Sequence, residues 1–283
     1  MRLISLLLNR LSRRLRTCIC TLPFGNEIET NPHKMKRILK RFSYVATMII
    51  LFPITVHSQN QTPSGSGWTL DGVVYRISSG ANVIFTGAYT GQRRIEVNAD
   101  ATNVNITLSS VTIEGLEKYR CPLSLGSRAS VNLTLLGTNT LTGGGDEAAI
   151  NVPAGTTLTL NGTGSLTARG GLLAAGIGGG YIRTAGNITI NSGTINAHGG
   201  NGSSVYGGGA GIGGGGGGPE GASGHGGTII INGGIVTATG GNSGHATSGS
   251  CGGGNGGWTA ETVVAVLEQA LVAVVEEVVL AGT

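Results

Sequence analysis

Acidic side chains are missing from the middle of this chain: no Asp or Glu occurs from Ala148 to Pro219. Hydrolysis of a glycosidic bond by paired carboxylates needs two acids at one bond. Calcium-assisted elimination needs several acids around a metal. This stretch can assemble neither. Asp146-Glu147 is the only adjacent acidic pair before the C-terminal tail, and it reads as a solvated turn. Aromatic residues make up 4% and charged residues 11%, which is low for a soluble enzyme. The four cysteines, Cys18, Cys20, Cys121 and Cys251, contain no C-x-x-C and define no disulfide framework. His198, His225 and His245 are expected in Gly-rich turns without a supporting acid or thiol pattern, so no metal site is expected. Gly213–Gly218 is not followed by Lys-Ser/Thr, which rules out a phosphate loop. No Gly-X-Y period runs through the chain, which rules out collagen. No catalytic residue and no cofactor is predicted.

The net charge of +4 is equally uninformative about partners. Ten of the 18 Lys and Arg lie in residues 1–58, against two acids, Glu27 and Glu29. The remainder carries 8 basic and 12 acidic residues, a net of −4. A nucleic-acid binder needs a clustered basic surface on its folded part, so nucleic acid is not an expected partner.

The basic segment has its own explanation. Met35-Lys-Arg-Ile-Leu-Lys-Arg-Phe42 is a basic n-region, Tyr44–Val56 is an apolar stretch, and Val56-His57-Ser58 is a cleavage site. Residues 35–58 are therefore expected to be a signal peptide, with Gln59 first in the mature chain. The stretch is shorter than the ~20 apolar residues of a membrane span, so the mature protein is not expected to cross a membrane. Residues 1–34 precede a complete signal and read as an extension upstream of the true start, Met35. The other end changes character too. Glu261–Thr283 is built mainly from 8 Val, 4 Ala, 4 Glu and 1 Gly. Gly codons read one base out of frame encode these four residue types, so 258–283 reads as an atypical, frameshifted tail of a longer Gly-rich array. The alternative is a genuine helix with Val263, Val264, Val266, Leu267 and Leu271 near one face.

Glycine is plentiful, at 53 of 283 residues, and it accompanies an internal repeat. Five segments align: Val104-Asn-Ile-Thr-Leu108, Val131-Asn-Leu-Thr-Leu135, Thr156-Thr-Leu-Thr-Leu160, Gly186-Asn-Ile-Thr-Ile190 and Gly227-Thr-Ile-Ile-Ile231. A turn and a second short strand follow each, closed in the last three by Gly170-Gly171, Gly199-Gly200 and Gly240-Gly241. A third element recurs as Ala175-Gly-Ile-Gly-Gly-Gly180 and Ala210-Gly-Ile-Gly-Gly-Gly215, more weakly as Ala148-Ala-Ile150. The aligned positions are Ile106, Leu133, Leu158, Ile188 and Ile229, and the longest interval is the last, which holds the glycine run at 213–218. Irregular periods of this kind, roughly 25 to 40 residues, suit a solenoid that tolerates insertions at a corner.

Strand alternation turns Ile106, Leu108, Leu133, Leu135, Leu158, Leu160, Ile188, Ile190, Ile229 and Ile231 inward. It turns Thr107, Thr134, Thr159 and Thr189 outward, with Asn105, Asn132, Thr157, Asn187 and Thr228 beside them. The expected fold is all-β: a parallel β-helix over 68–257 with Gly-rich turns, right-handed by crossover chirality. Trp68–Ile77 reads as a hairpin at Asp71-Gly72 that caps its N-terminal end, and 59–67 as a flexible linker.

The run Thr159-Leu-Asn-Gly-Thr-Gly-Ser-Leu-Thr-Ala-Arg-Gly-Gly171, then Ala174-Ala-Gly-Ile-Gly-Gly-Gly180 and Gly186-Asn-Ile-Thr-Ile-Asn-Ser-Gly-Thr-Ile195, resembles secreted bacterial Gly-rich β-helix proteins labelled carbohydrate-binding-domain-containing, whose fold is similar to that of pectate lyases. The resemblance spans Trp68 to Gly257 and implies binding of acidic polysaccharide with calcium. No metal motif accompanies it in this chain. Candidate ligand residues are the outward Asn105, Thr107, Asn132, Thr134, Thr157, Thr159, Asn187 and Thr189. Trp68, Tyr181 and Tyr206 are candidate aromatic platforms. The expected function is non-enzymatic: an extracellular or cell-surface solenoid that binds polysaccharide or a surface glycan, or mediates adhesion. A purely structural surface or matrix protein is the alternative. An ice-binding threonine face is a weaker one, because Thr-x-Thr is complete only at Thr157 and Thr159. Sequencing the N-terminus of exported material should return Gln59; a mature chain retaining Arg13 or Arg14 would refute the signal assignment.

Overall fold

The computed structural model describes residues 60–218 and 222–243, and the backbone of 263–265. All belong to the compact unit His57–Thr283. The segments that read as an extension, a signal peptide and most of the tail lie outside the described residues. Among the described residues there are strands and no helix.

The chain enters as β1 (Ser64–Asp71), turns at Gly72-Val73 and returns antiparallel as β2 (Val74–Tyr89), with Asp71 opposite Val74. From there to Thr239 each strand pairs parallel with its counterpart one rung on. β2 is long enough to pass around three faces, and each face adds five more segments. The first face continues as the start of β4 (Val104–Ile113), then β6 (Ser130–Leu136), β9 (Thr157–Gly162), β12 (Asn187–Ile190) and β15 (Thr228–Ile231). The second continues as the end of β4, then β7 (Thr138–Thr142), β10 (Ser165–Arg169), β13 (Thr194–His198) and β16 (Gly234–Thr239). The third starts at Val74–Ile77 and continues as β3 (Arg94–Val97), β5 (Leu123–Leu125), β8 (Ile150–Asn151), β11 (Ile177–Gly178) and β14 (Ile212–Gly213). The molecule is a parallel β-solenoid with three faces. The weakly recurring Ala-Gly-Ile-Gly element is its third side.

Alternation does place the aliphatic positions inside. Ile106, Leu108, Leu133, Leu135, Leu158, Leu160, Ile188 and Ile190 are fully buried in one continuous core with Val83, Phe85, Ile113, Leu141, Leu166 and Ile195. Ile229 and Ile231, on the last segment of the first face, are partly buried.

The alignment needs one correction. Val131 pairs with Leu158 and Leu133 with Leu160, so the second repeat interval is longer by two positions than the motif alignment implies. Thr156, expected in the strand, closes a turn instead. Its backbone N–H and its Oγ1 both donate to the Pro153 carbonyl, at 3.1 and 2.6 Å. The preceding rung has the same turn, in which Ala129 N–H donates to Gly126 O. A slip of two positions keeps every side chain on its face, so the apolar pattern alone does not detect it.

Residues 60–67 do not form a free linker. Asn60 N–H donates to Ala88 O at 2.8 Å, the Asn60 Oδ1 accepts from Thr90 N–H, and Ser64–Gly67 lies in β1. The Gly-Ser composition has another cause. A Cβ on Gly65 would sit 2.0 Å from Asn82 O, and one on Gly67 2.5 Å from the Ala81 Cα.

The glycine pairs between the second and third faces act in a similar way. A Cβ on Gly171 would lie 1.9 Å from Gly144 O, on Gly200 1.6 Å from Gly171 O, and on Gly241 2.0 Å from Gly200 O. These residues have no positive φ; they form a column in which each rung's carbonyl occupies the place of the next rung's side chain. A second device serves the bulge in β4. Left-handed Ser110 interrupts the ladder there. Asn139, in a core position, accepts from Val111 N–H at 2.9 Å and donates to the carbonyls of Leu136 and Ser165 at 3.1 and 3.0 Å. It is fully buried, and it stands where later rungs have Leu166 and Ile195.

Both devices can be tested in one urea-unfolding series. Gly200→Ala should lower stability by ~3 kcal/mol or more, because backbone cannot yield as a side chain can. Asn139→Leu should cost ~1–3 kcal/mol through the unpaired Val111 N–H. Midpoints within error of wild type for both would refute the glycine column and the asparagine bridge.

Candidate functional site

The parallel ladders gather the outward residues of the first face into columns about 4.8 Å apart per rung. One column runs Asn82, Asn105, Asn132, Thr159, Thr189 and Ile230. A second runs Ile84, Thr107, Thr134 and Asn161, continued by Asn191 and Asn232. A third runs Ser130, Thr157, Asn187 and Thr228. All eight Asn and Thr candidates therefore share one surface, but not in the order expected. The corrected register sets Thr159 on Asn132, not on Thr134, so no continuous threonine line exists on this face. Asparagine amides cross-link the rungs. Asn132 donates to Asn105 at 3.2 Å, Asn191 to Asn161 at 3.0 Å and Asn232 to Asn191 at 2.8 Å. In the sequence Asn161, Asn191 and Asn232 look like turn openers; their common position after each strand is the signal that marks them as a column.

The second face carries the threonine row missing from the first. Thr112, Thr140, Thr167, Asn196 and Thr237 stack in register. Thr138, Ser165, Thr194 and Ile235 run along one side, and Thr142, Arg169, His198 and Thr239 along the other. His198 thus ends strand β13 and does not lie in a turn. Its pKa is lowered by burial and by Arg169. His225 is exposed ahead of β15, and His245 lies outside the described residues.

A third grouping lies where the second face turns into the third. Turns Glu117–Arg120, Gly144–Glu147 and Gly171–Ala174 stack there, each closed by an N–H to the carbonyl of its first residue. The next layer is tied in by Asp146 N–H to Leu172 O and by Tyr181 N–H to Asp146 O. Asp146-Glu147 is not solvated: the side chains are 15% and 8% exposed and pair with Lys118 Nζ and Arg183 Nη1, each at 3.0 Å. Burial raises the Glu147 pKa above the usual carboxylate range; the Arg183 guanidinium opposes the shift and Asp146 adds to it. Tyr181 and Tyr206, well separated in sequence, meet here edge-to-face with centroids 6.0 Å apart. Trp68 is elsewhere. It packs T-shaped on Tyr75 at 5.9 Å, over the aromatic cluster of Tyr75, Phe85 and Tyr89 in the first rung.

Cys121 is buried, with its thiol donating to Leu123 O at 3.0 Å, and burial drives its pKa far up. Burial of this kind disfavours the thiolate, which is the reactive form of cysteine. Among the described residues no three His, Cys, Asp or Glu converge on a common point.

Glu147 sets a pH dependence with a definite sign. Its carboxyl holds a proton more tightly folded than unfolded, so its contribution is fully present below the unfolded pKa. That contribution is lost as pH rises through the folded pKa. Glu147→Gln removes the titration while keeping the shape. Wild-type stability relative to this variant should therefore fall as pH rises above the ordinary carboxylate range. A rise instead would mean that the Arg183 pair outweighs burial.

Comparison with protein-family models, with curated proteins and with solved structures found no match to this chain.

Proposed function

We propose that this chain is an exported, non-enzymatic β-solenoid that binds polysaccharide or a surface glycan, or mediates adhesion, outside the cell or at its surface. The observation that carries this reading is the pair of flat polar faces built from Asn and Thr columns. Extended polysaccharides present hydroxyls at regular intervals, and a rigid row of amides and hydroxyls offers donors and acceptors along a line. The rungs hold these groups in place before binding, which limits the ordering cost. The acids support a role without catalysis. Five of the seven acids among the described residues, Asp71, Glu96, Asp100, Asp146 and Glu147, are engaged in ion pairs, and Glu114 and Glu117 are not. The resemblance to secreted carbohydrate-binding β-helix proteins supports the same ligand class, with the solenoid carried outside the cell by the 35–58 signal.

A second reading has its own observation. The in-register column Thr112, Thr140, Thr167, Asn196 and Thr237, four hydroxyls interrupted by one amide, approaches the regular hydroxyl array that an ice-binding surface needs, and it lies on the second face.

A glycan array probed with the exported chain separates these readings from a purely structural role. Polysaccharide binding predicts retention of at least one extended glycan and a tenfold or greater loss, ~1.4 kcal/mol, when Asn132 and Thr159 are both changed to Leu. Thermal hysteresis without glycan binding would instead support the second reading. Absence of both would leave a structural role.

A further inference from the structure

We infer that the corner around Tyr181 and Tyr206 is a discrete saccharide site for neutral pyranose units, separate from the flat faces. The inference rests on the polysaccharide reading above and assigns its anchoring point. Three independent features meet at this corner. The first is the aromatic pair, contributed by two successive rungs and half-exposed. Tyrosine faces accept the C–H side of a sugar ring, while their hydroxyls remain available as hydrogen-bonding groups.

The second is an apolar rim. Tyr119, Leu172 and Ile182 are 63%, 57% and 49% exposed; Tyr119 and Leu172 belong to the stacked turns, and Ile182 follows Tyr181 in the turn Gly180–Arg183. Tyr119 N–H donates to Gly145 O, Leu172 O accepts from Asp146 N–H, and Ile182 N–H donates to Gly216 O. Exposed large apolar side chains on turns linked by these hydrogen bonds mark a contact surface.

The third feature decides the ligand's charge. Lys118 pairs with Asp146 and Arg183 with Glu147, so two cations meet two carboxylates and the corner is locally neutral. Lys118 Nζ also lies over the Tyr119 ring, 4.7 Å from its centroid. A polyanion would find no net field to attract it. A neutral sugar would find ammonium, guanidinium, carboxylate and phenol groups for its hydroxyls beside flat rings for its C–H face. Glu147 and Asp146 act here as positioning residues: their backbone and side chains tie Tyr181 and Arg183 to the turn beneath.

The test uses the full chain as exported, with two probes: hydroxyethyl cellulose, a neutral β-glucan, and polygalacturonate, an acidic polymer. Binding of each is measured for wild type, for Tyr181→Ala with Tyr206→Ala, for Tyr181→Phe with Tyr206→Phe, and for Asn132→Leu with Thr159→Leu. Urea midpoints confirm that each variant is folded. The inference expects the neutral probe to bind, the double Ala variant to lose tenfold or more, and the double Phe variant to stay within about threefold, because the rings remain. It expects the face variant to reduce binding without abolishing it. Three results would overturn it: polygalacturonate as the better ligand, equal binding by the double Ala variant, or loss confined to the face variant. The last two leave the polysaccharide reading standing. Failure of wild type to bind either probe, or any glycan on the array, would remove that reading and the corner site together.

Discussion

Parallel, in-register stacking of backbone is the constraint on which the rest of this molecule depends. Each rung hydrogen-bonds to the one before it, which brings equivalent residues about 4.8 Å apart. Whatever stands at a position is therefore repeated against itself. Aliphatic side chains gain from this arrangement, because each column adds to one continuous core. Amides gain as well, since one amide's N–H meets the next one's carbonyl, as from Asn232 through Asn191 to Asn161. Like charges would lose, because a column of carboxylates would repel at every step. The acid-poor stretch follows from this geometry. Where charges do stack, they alternate in sign: Arg128 lies over Asp100 in a bidentate pair that lowers the pKa of Asp100.

Glycine has a matching role. Between the second and third faces the chain folds back so tightly that a carbonyl fills the space of a side chain in the next rung, along Gly144, Gly171, Gly200 and Gly241. The high glycine content is thus a packing requirement and not a sign of disorder. Residues 207–218 are buried throughout, although their composition suggests an open loop. The first rung obeys the same rule. β1 lies against β2 so closely at Gly65 and Gly67 that only glycine fits, and the antiparallel pairing covers the edge that a parallel solenoid leaves exposed. At the other end, backbone Val263–Ala265 pairs antiparallel with Gly234–Val236 of β16. Val263 and Val264, which the helical alternative for the tail includes, are extended in backbone.

Faces and corners divide the surface by kind. The faces are regular because the ladder makes them so, and they offer repeated hydrogen-bonding groups, interrupted by the exposed Ile84 and Ile230 on the first face and Ile235 on the second. The corners escape the ladder, so unlike residues collect there: two tyrosines, two ion pairs and three exposed apolar side chains at one corner alone. An extended ligand suits the first kind of surface, and a single recognised unit suits the second. Both use side chains held in place by the rungs beneath them.

The fold class was legible in the sequence because the core obeys a period of two within strands and recurs along the chain. Local alternation suffices to turn Leu133 inward and Thr134 outward. Register was not legible in the same way. A slip of two positions leaves that alternation intact, and only the turn that Thr156 closes on Pro153 decides that Thr159 stacks on Asn132. The Asn and Thr candidates stand out in the sequence because outward-facing polar residues repeat. The threonine row of the second face does not, because its members become neighbours only when rungs stack. The pairing of Tyr181 with Tyr206, and the burial of Glu147 under Arg183, were invisible for a related reason: corners carry no period, and their contacts join residues far apart in the chain. The amino-acid sequence by itself determined the repeated strands and their inward ladder. The tertiary structure decided which rung lies on which, and so which side chains form a surface, because that choice rests on turn geometry and backbone packing between segments distant in sequence.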